Sequence, residues 1–177
     1  MNRPKIRYYG HPDLRQKAKP VESITPAIDA LCEEMVGMML SLDNCIGFAG
    51  PQLGVLLRIF VIREEKSLPE DERCFGTPEV IINPILTAPS KDTVSMSEGC
   101  MSLPGLFVEI KRPKTIHIRY QNIKGETIEE DLVGFRARMF MHENDHLNGT
   151  LHIDRMDPTE RRQIEPLLRA MKQKYRS

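Results

Sequence analysis

Residues 134–149 read GFRARMFMHENDHLNG and contain the pattern H-E-x-x-H between His142 and His146. The spacing of the apolar residues predicts a helix over 134–148, and Gly149 is placed to end it in a left-handed conformation. One face of this helix passes from apolar to metal-binding side chains, in the order Phe135, Met139, His142, Glu143 and His146. We therefore expect this helix to carry the chemistry of the protein.

The two histidines of the pattern lie one helical turn apart, about 6 Å along the axis, so both imidazoles can face one metal ion. Glu143 lies beside them, and a carboxylate there can take a proton from a metal-activated water and return it to a leaving group. Two histidines leave a catalytic metal site one protein ligand short. The third ligand decides the class of enzyme.

Three residues compete for this third position. His152 completes the string H-E-x-x-H-x-x-G-x-x-H of metzincin proteases, but only 25 residues follow it, which leaves little room for the Met turn of those enzymes. Glu165 lies 19 residues after His146, as in proteases with a downstream glutamate ligand, but it stands among arginines. Cys100 lies in a predicted loop of small residues that leads into a strand, and a cation alone would deprotonate its thiol. The residues by themselves leave all three open.

The composition of the chain limits the classes of protein to consider. It has 177 residues, with 25 basic and 25 acidic side chains and four widely spaced cysteines. This length suits one domain, residues 1–177, with an ordinary hydrophobic core. The zero net charge argues against direct nucleic-acid specificity, and the cysteine spacing argues against a disulfide framework. With no long apolar run, we expect a protein of a reducing cytoplasm that does not enter a membrane.

Helices and strands are predicted on both sides of the H-E-x-x-H segment. Thr25 caps a first helix that begins at Pro26, and a last helix begins near Pro158, where Pro166 predicts a kink or a late start. Strands are predicted at 56–62, 80–86, 115–120 and 127–133, the last two as a hairpin. We expect an α+β fold, in which short and mostly antiparallel strands surround a central H-E-x-x-H helix, with further helices towards both termini.

Three segments of the chain together resemble the peptide deformylases. CIGFAGPQ at 45–52 is similar to the first motif of that family, G-x-G-x-A-A-x-Q, and EGCMS at 98–102 matches the second, E-G-C-x-S. HENDH at 142–146 matches the third, H-E-x-D-H. The resemblance extends over nearly the whole chain, because it also covers 10–15, 18–21, the Asn83-Pro84 step and 154–156.

This resemblance implies hydrolysis of the formyl group from the N-terminal formyl-methionine of nascent polypeptides, with release of formate. It implies one divalent ion per chain, held by Cys100, His142 and His146. Fe²⁺ is the expected ion, and the family also accepts Zn²⁺, Ni²⁺ or Co²⁺. Glu143 would shuttle the proton, while the side chain of Gln52 and the backbone N–H of Met101 would bind the developing oxyanion.

The resemblance also implies roles for residues around these groups. Gly47 would let the substrate backbone approach closely, and a pocket for the methionine side chain would be lined by Ile46, Phe48, Phe135 and Met139. Three further residues would support the histidine ligands, namely Asp145, Arg112 and Glu98. The basic C-terminal helix would dock on the ribosome, as in some members of the family.

The sequence departs from the family pattern at five positions, one of which is His152, where the family usually carries an aromatic residue. Cys45 replaces the first glycine of the first motif and Gly50 replaces its second alanine, while Met141 stands where glutamine commonly precedes the first histidine. Arg138 occupies a position that carries an apolar pocket residue in many bacterial members. These departures keep two alternatives open: a metzincin-like zinc endopeptidase with His152 as ligand, and a deformylase-like protein that binds peptide or metal without turnover. A cysteine at position 45 is similar to what the mitochondrial deformylases of animals carry. We expect a bacterial cytoplasmic protein, with a mature organellar protein as the alternative.

Overall fold

The computed structural model describes residues 5–42, 44–66 and 74–175, and these form helices packed against antiparallel sheets. The α-helices of the described residues are α1 (Pro26–Leu40), α2 (Gly134–Leu147), α3 (Pro158–Gln163) and α4 (Glu165–Lys174). The strands are β1 (Gly47–Ala49), β2 (Ile59–Ile62), β3 (Glu65–Lys66), β4 (Cys74–Phe75), β5 (Glu79–Thr87), β6 (Thr93–Cys100), β7 (Leu103–Pro113), β8 (Thr115–Gln121) and β9 (Thr127–Val133). The predicted α+β class is confirmed.

A five-stranded sheet, in the order β1-β2-β5-β8-β9, forms the middle of the fold. Its strand β2 is buried along its whole length, and alternate residues point to opposite faces. Phe60 and Ile62 pack towards Phe140 of α2, whereas Ile59 and Val61 pack towards α1. The sheet is therefore covered by α2 on one face and by α1 on the other.

Strand β5 contains a register shift next to Pro84. Pairing with β8 slips between Ile82 and Ile85, because Pro84 has no N–H to donate to the ladder. Asn83 has a positive φ of 53°, and its side-chain amide compensates by bonding both the N–H and the carbonyl of Val21 at 2.8 Å. The bulge thus ties the sheet to the N-terminal segment.

The prediction of a loop around Cys100 is wrong. Cys100 ends β6, two residues turn the chain, and β7 begins at Leu103, so a long antiparallel hairpin carries this cysteine. Glu98 is the one buried residue of β6, and it is paired with Arg112 on β7, whereas the apolar residues Val94 and Met96 are partly buried or exposed. A strand whose one buried residue is charged gives a weak hydrophobic signal in the sequence.

The helix boundaries follow the local signals. The Thr25 hydroxyl caps α1 by accepting a hydrogen bond from the Ile28 N–H, and Gly149, with φ 70°, follows α2 as predicted. The C-terminal helix is divided at Ile164, just before Pro166, which confirms the predicted kink. Leu168 and Met171 of α4 pack on the hairpin β6–β7. In the described part of the chain, none of the helices has the length and apolar character needed to cross a membrane.

Candidate metal centre

Helix α2 and the end of β6 bring three metal-binding side chains together. Cys100, His142 and His146 each offer one ligand atom, and these three atoms lie within 4.8 Å of one another. The Cys100 sulfur is 3.3 Å from Nε2 of His146. His146 is buried, whereas Cys100 and His142 are partly exposed.

A buried network of charged side chains fixes the orientation of His142. Its Nδ1 lies 2.9 Å from Oε2 of Glu98, which leaves Nε2 to face the cluster. Arg112 donates two hydrogen bonds to Glu98, at 2.6 and 2.9 Å, and a third to Asp145 at 2.9 Å. Burial alone would raise the pKa of Glu98, but the hydrogen bonds from His142 and Arg112 hold that pKa well below its ordinary range. Glu98 is therefore ionised beside the ligand.

The donor set fits a divalent transition metal. A thiolate with two imidazoles suits Fe²⁺, Zn²⁺, Ni²⁺ or Co²⁺, and three protein ligands leave a position for water or substrate. Burial lowers the pKa of His146 well below its ordinary value, so its ring is in the neutral form that binds metal. Burial also acts to lower the pKa of His142, yet contacts with Cys100 and Glu98 raise it overall, which shows that the surroundings favour positive charge.

Glu143 lies next to the cluster with little access to water. Its exposed fraction is 5%, and Oε2 is buried without a hydrogen-bond partner among the described residues. Burial raises the pKa of this carboxyl to about 7, in the range where a general acid or base works at neutral pH. A Cβ built on Gly47 would stand 2.3 Å from Oε1 of Glu143. Gly47 therefore provides space for the carboxylate of Glu143.

Gln52 is held with its amide nitrogen towards the cluster. It lies on a 3-10 turn after β1, where its Oε1 accepts a hydrogen bond of 2.8 Å from the backbone N–H of Ala49. Its Nε2 donates to the hydroxyl of Ser102 at 3.1 Å and lies 3.6 Å from the Cys100 sulfur. Met101 follows Cys100 directly, in the turn between β6 and β7. Donors on two elements thus flank the same cysteine.

The residues predicted to line a pocket do not all lie at the site. Met139 is buried on α2, Ile46 is partly buried just before β1, and Phe135 is 45% exposed near the start of α2. Phe48 is fully buried in the core cluster under α1, with Met35 and Met39. The prediction that Phe48 lines a substrate pocket is therefore wrong, because its side chain offers no accessible surface.

The two rival ligands stand outside the cluster of ligand atoms found in the described residues. His152 is buried beside His142, with 5.6 Å between ring centroids, and neither of its nitrogens has a hydrogen-bond partner in that part of the chain. Glu165 lies on α4, where it pairs with Arg161 at 2.7 Å and with Arg169 at 3.6 Å. The geometry favours Cys100 as the third ligand.

Two further arginines belong to this network but are not among the supporting residues predicted from the sequence. Arg138 donates to Glu98 Oε1 at 2.5 Å, and Arg155 donates to Asp145 Oδ1 at 2.6 Å. A signal for Arg138 was present, since it precedes His142 by four residues and so lies on the same face of α2. For Arg155 the signal was its place in the stretch 154–156, which the family resemblance covers.

Comparison with known proteins finds a matching family and similar chains and structures. The family profile described as polypeptide deformylase matches residues 4–162. A peptide deformylase of Thermotoga neapolitana is 41% identical over 157 residues, which are 89% of each chain. The crystal structure of the Thermotoga maritima peptide deformylase has a TM-score of 0.78 and 40% identity, covering 89% of this chain and 100% of that one. A Plasmodium falciparum peptide deformylase has a TM-score of 0.85 and 31% identity, covering 97% of both chains.

Proposed function

The chain belongs to the polypeptide deformylase family, and on that premise we propose the roles of its residues in the reaction. Its activity is deformylation, the hydrolysis of the N-formyl group from the N-terminal methionine of newly made polypeptides, with release of formate. The endopeptidase and non-catalytic alternatives are not favoured by relatives 41% identical over most of the chain. The observation that carries the assignment of roles is the cluster of Cys100, His142 and His146 beside Glu143.

Cys100, His142 and His146 would hold one divalent ion. We expect Fe²⁺, and Zn²⁺, Ni²⁺ or Co²⁺ are chemically suitable replacements, since one thiolate and two imidazoles suit all four ions. Such an ion, when bound, supplies Lewis acidity that lowers the pKa of water and polarises the formyl carbonyl. The protein adds a fixed orientation of His142, because the Glu98 carboxylate holds its Nδ1.

Glu143 moves the proton in this proposal. Its carboxylate takes a proton from the attacking water as the new bond forms between the water oxygen and the formyl carbon. When the bond between that carbon and the amide nitrogen breaks, the carboxyl returns the proton to the nitrogen, so a free amine and formate leave. Support comes from the position of Oε2, which is buried and without a partner in the described residues, and from a pKa raised to about 7.

Gln52 and Met101 stabilise the oxyanion that develops on the formyl oxygen. The Gln52 amide cannot turn freely, because Ala49 holds its oxygen and Ser102 accepts from its nitrogen. Its Nε2 already lies 3.6 Å from the Cys100 sulfur, so a carbonyl bound next to that sulfur is within its reach. A fixed donor of this kind contributes about 3–4 kcal/mol to transition-state stabilisation in other hydrolases. The Met101 N–H, one residue beyond Cys100, is the second donor.

The formylated methionine occupies the space next to α2 in this scheme. Met139 and Ile46 supply apolar surface, and Phe135, two turns before His142, lies towards the outer end. Gly47 brings the backbone of β1 close to Glu143, so an extended peptide backbone can pass near the reacting carbonyl.

Formate release tests these roles directly. The protein is loaded anaerobically with Fe²⁺ and given formyl-Met-Ala-Ser, and formate and bound iron are measured for each variant. Cys100→Ala and His142→Ala should lose both iron and activity, whereas Glu143→Gln should keep the iron and lose at least about 100-fold in kcat. The assignment fails if Cys100→Ala keeps iron and activity while His152→Phe loses both.

A second proposal concerns where the protein works. We infer that the basic C-terminal face docks on ribosomal RNA in the cytoplasm, where nascent chains emerge. Arg161, Arg162 and Arg169 line an open depression of about 630 Å³ between α3 and α4, with Glu165 as its acidic residue. Such a surface favours phosphate contacts, whose strength falls with salt.

Charge reversal is the suitable test of docking, since deleting α4 would remove Leu168 and Met171 from the core. An Arg162→Glu, Arg169→Glu double variant should lose co-sedimentation with ribosomes at low salt and keep its activity on the tripeptide. Lys124→Glu, in the turn between β8 and β9, is the control that should still sediment. Unchanged sedimentation of the double variant would refute docking through this face.

A further inference from the structure

Arg138 is a buried cation that is neither a metal ligand nor a reacting group in the proposed reaction. It lies on α2, four residues before His142, and only 3% of its surface is exposed. Its Nη1 donates to Glu98 Oε1 at 2.5 Å and to the carbonyl of Ile110 at 2.9 Å, and its Nη2 donates to the carbonyl of Val94 at 2.6 Å. One side chain thus reaches both strands of the β6–β7 hairpin and the carboxylate that orients His142.

These contacts join the two elements that carry the metal ligands. Cys100 comes from β6, while His142 and His146 come from α2, so the distance between thiolate and imidazoles depends on how α2 lies against the hairpin. Arg138 crosses this boundary with three hydrogen bonds. Arg112 crosses it as well, from β7 to Asp145 on α2, but its bonds to Glu98 stay within the hairpin.

Stability alone is a weak reason for this arrangement. The Nε of Arg138 is buried without a hydrogen-bond partner among the described residues, so part of its desolvation is not compensated. A buried ion pair replaced as a unit by apolar residues often costs no stability, so the pair as a whole is better explained by a role in specifying geometry. The hydrogen bonds of Arg138 point to such a role, since each one runs from α2 to the β6–β7 hairpin.

We propose that Arg138 is a positioning residue for the metal centre: by linking α2 to Val94, Glu98 and Ile110 of the hairpin, it sets the separation between Cys100 and the two histidine ligands before metal binds. The link makes the ligand set preorganised, so less free energy is spent on ordering it when the ion enters. This inference rests on the proposed ligand set, and it goes beyond it by assigning a role to a residue that touches no ligand directly.

Metal affinity, measured on folded protein, tests the proposal. Co²⁺ is titrated into metal-free wild type, Arg138→Met and Arg138→Lys in competition with a chelator, and the thiolate-to-cobalt absorption band is recorded. Arg138→Met should bind Co²⁺ about tenfold more weakly, with a changed band, as outer partners of metal ligands typically affect affinity 10- to 100-fold. Arg138→Lys keeps the charge but lacks the planar guanidinium group. Its Co²⁺ affinity should therefore lie between those of wild type and Arg138→Met.

A control on the same helix separates positioning from general stability. Arg136 also pairs with carboxylates, Glu64 and Glu79 at 2.8 Å, but none of them touches a ligand. Arg136→Met should therefore lower the melting temperature and leave the Co²⁺ affinity and spectrum unchanged. All titrations are made well below the melting temperature of each variant, which thermal melts establish.

The outcomes distinguish a failure of the role proposed for Arg138 from a failure of the proposed ligand set. If wild type shows no thiolate-to-cobalt band, or if Cys100→Ala keeps it, the ligand set itself is wrong. If wild type shows the band and Arg138→Met and Arg138→Lys bind Co²⁺ as tightly as wild type or more tightly, Arg138 does not position the site. If Arg138→Met does not fold, Arg138→Lys decides alone, and wild-type affinity in that variant overturns the proposal.

Discussion

The carboxylate of Glu143 lies directly against the Cα of Gly47. A Cβ on Gly47 would stand 2.3 Å from Oε1, 2.9 Å from Cδ and 3.1 Å from Cγ of Glu143. Real Cβ atoms essentially never make contacts as short as the first two, so any side chain at position 47 displaces the carboxylate. Because the backbone of Gly47 pairs with Ile62 in the sheet, β1 is not free to move away.

Gly47→Ala should therefore impair catalysis with little effect on the fold. Moving the carboxylate by about 1 Å is expected to lower kcat for formyl-Met-Ala-Ser about 100-fold, while the metal content stays at the wild-type level. Steady-state kinetics and metal analysis on the same sample check this. The matched control is Gly37→Ala on α1, where a Cβ meets no atom within 4 Å. It should gain up to about 1 kcal/mol in unfolding free energy with unchanged kcat; wild-type kcat in Gly47→Ala would contradict the interpretation.

His152 should be replaceable by phenylalanine with a gain in stability. The ring is 1% exposed, burial lowers its pKa to about 3, and both nitrogens are buried without partners in the described part of the chain. A neutral polar ring in this state has lost its hydrogen bonds to water without replacement, at a cost of about 1–3 kcal/mol. His152→Phe should raise the unfolding free energy by roughly 1 kcal/mol and keep one metal ion per chain. A fall in metal content would instead support His152 as a ligand.

The three cysteines with described side chains should differ sharply in reactivity. Burial raises the pKa of Cys45 to about 12 and that of Cys32 to about 11, so both remain thiols at pH 8. Cys100 is partly exposed. In native, metal-free protein, iodoacetamide should modify Cys100 and spare Cys32 and Cys45, as peptide mapping would show. Prior loading with Zn²⁺ should protect Cys100; modification of Cys45 in native protein would be inconsistent with its burial.

The stability of metal-free protein should respond to the titration of Glu143. Burial raises the pKa of this carboxyl from 4.5 to about 7, so the folded state holds the proton more tightly than the unfolded state. The resulting stabilisation is fully present below pH 4.5 and is lost as pH rises through about 7. Relative to Glu143→Gln, which does not titrate, wild type should lose on the order of 3 kcal/mol over this range.

Urea unfolding of the two proteins at several pH values, with chelator present, measures this difference. Other groups are common to both proteins, so their titrations largely cancel. Adding Zn²⁺ should reduce the difference, because a nearby cation favours the ionised carboxylate. A difference that does not vary between pH 4.5 and 7 would show that burial does not penalise the charge of Glu143.

The elements predicted correctly from the sequence are those whose signals are local. Helices α1 and α2 have caps, left-handed stops and an apolar period, and each is read within one segment of chain. The prediction of a loop around Cys100 fails for β6, because the one buried residue of that strand is Glu98, whose compatibility with burial depends on its pairing with Arg112 on β7. Pairing across strands is a tertiary property that no single segment displays.

At the metal site, too, local signals predict some residues correctly, and tertiary contacts determine the others. The spacing of His142, Glu143 and His146 follows from helical geometry, whereas the surroundings of Cys100 make it only one of three candidate ligands and the family resemblance singles it out. The position of Phe48 was misjudged, because alternation in a three-residue strand does not tell which face meets solvent. Arg138 was read as a change in the pocket, but its hydrogen bonds end on Glu98 and on two backbone carbonyls of the hairpin.

The four buried charges behind the metal site also constrain how this protein can change by mutation. Two carboxylates, Glu98 and Asp145, balance two guanidinium groups, Arg112 and Arg138, with little water to screen them. Losing one partner leaves an unmatched interior charge, which costs about 3–5 kcal/mol, whereas exchanging an oppositely charged pair for apolar residues can be nearly neutral. Substitutions at these positions should thus be strongly epistatic. An evolutionary path that alters this support is easier in paired steps than in single ones.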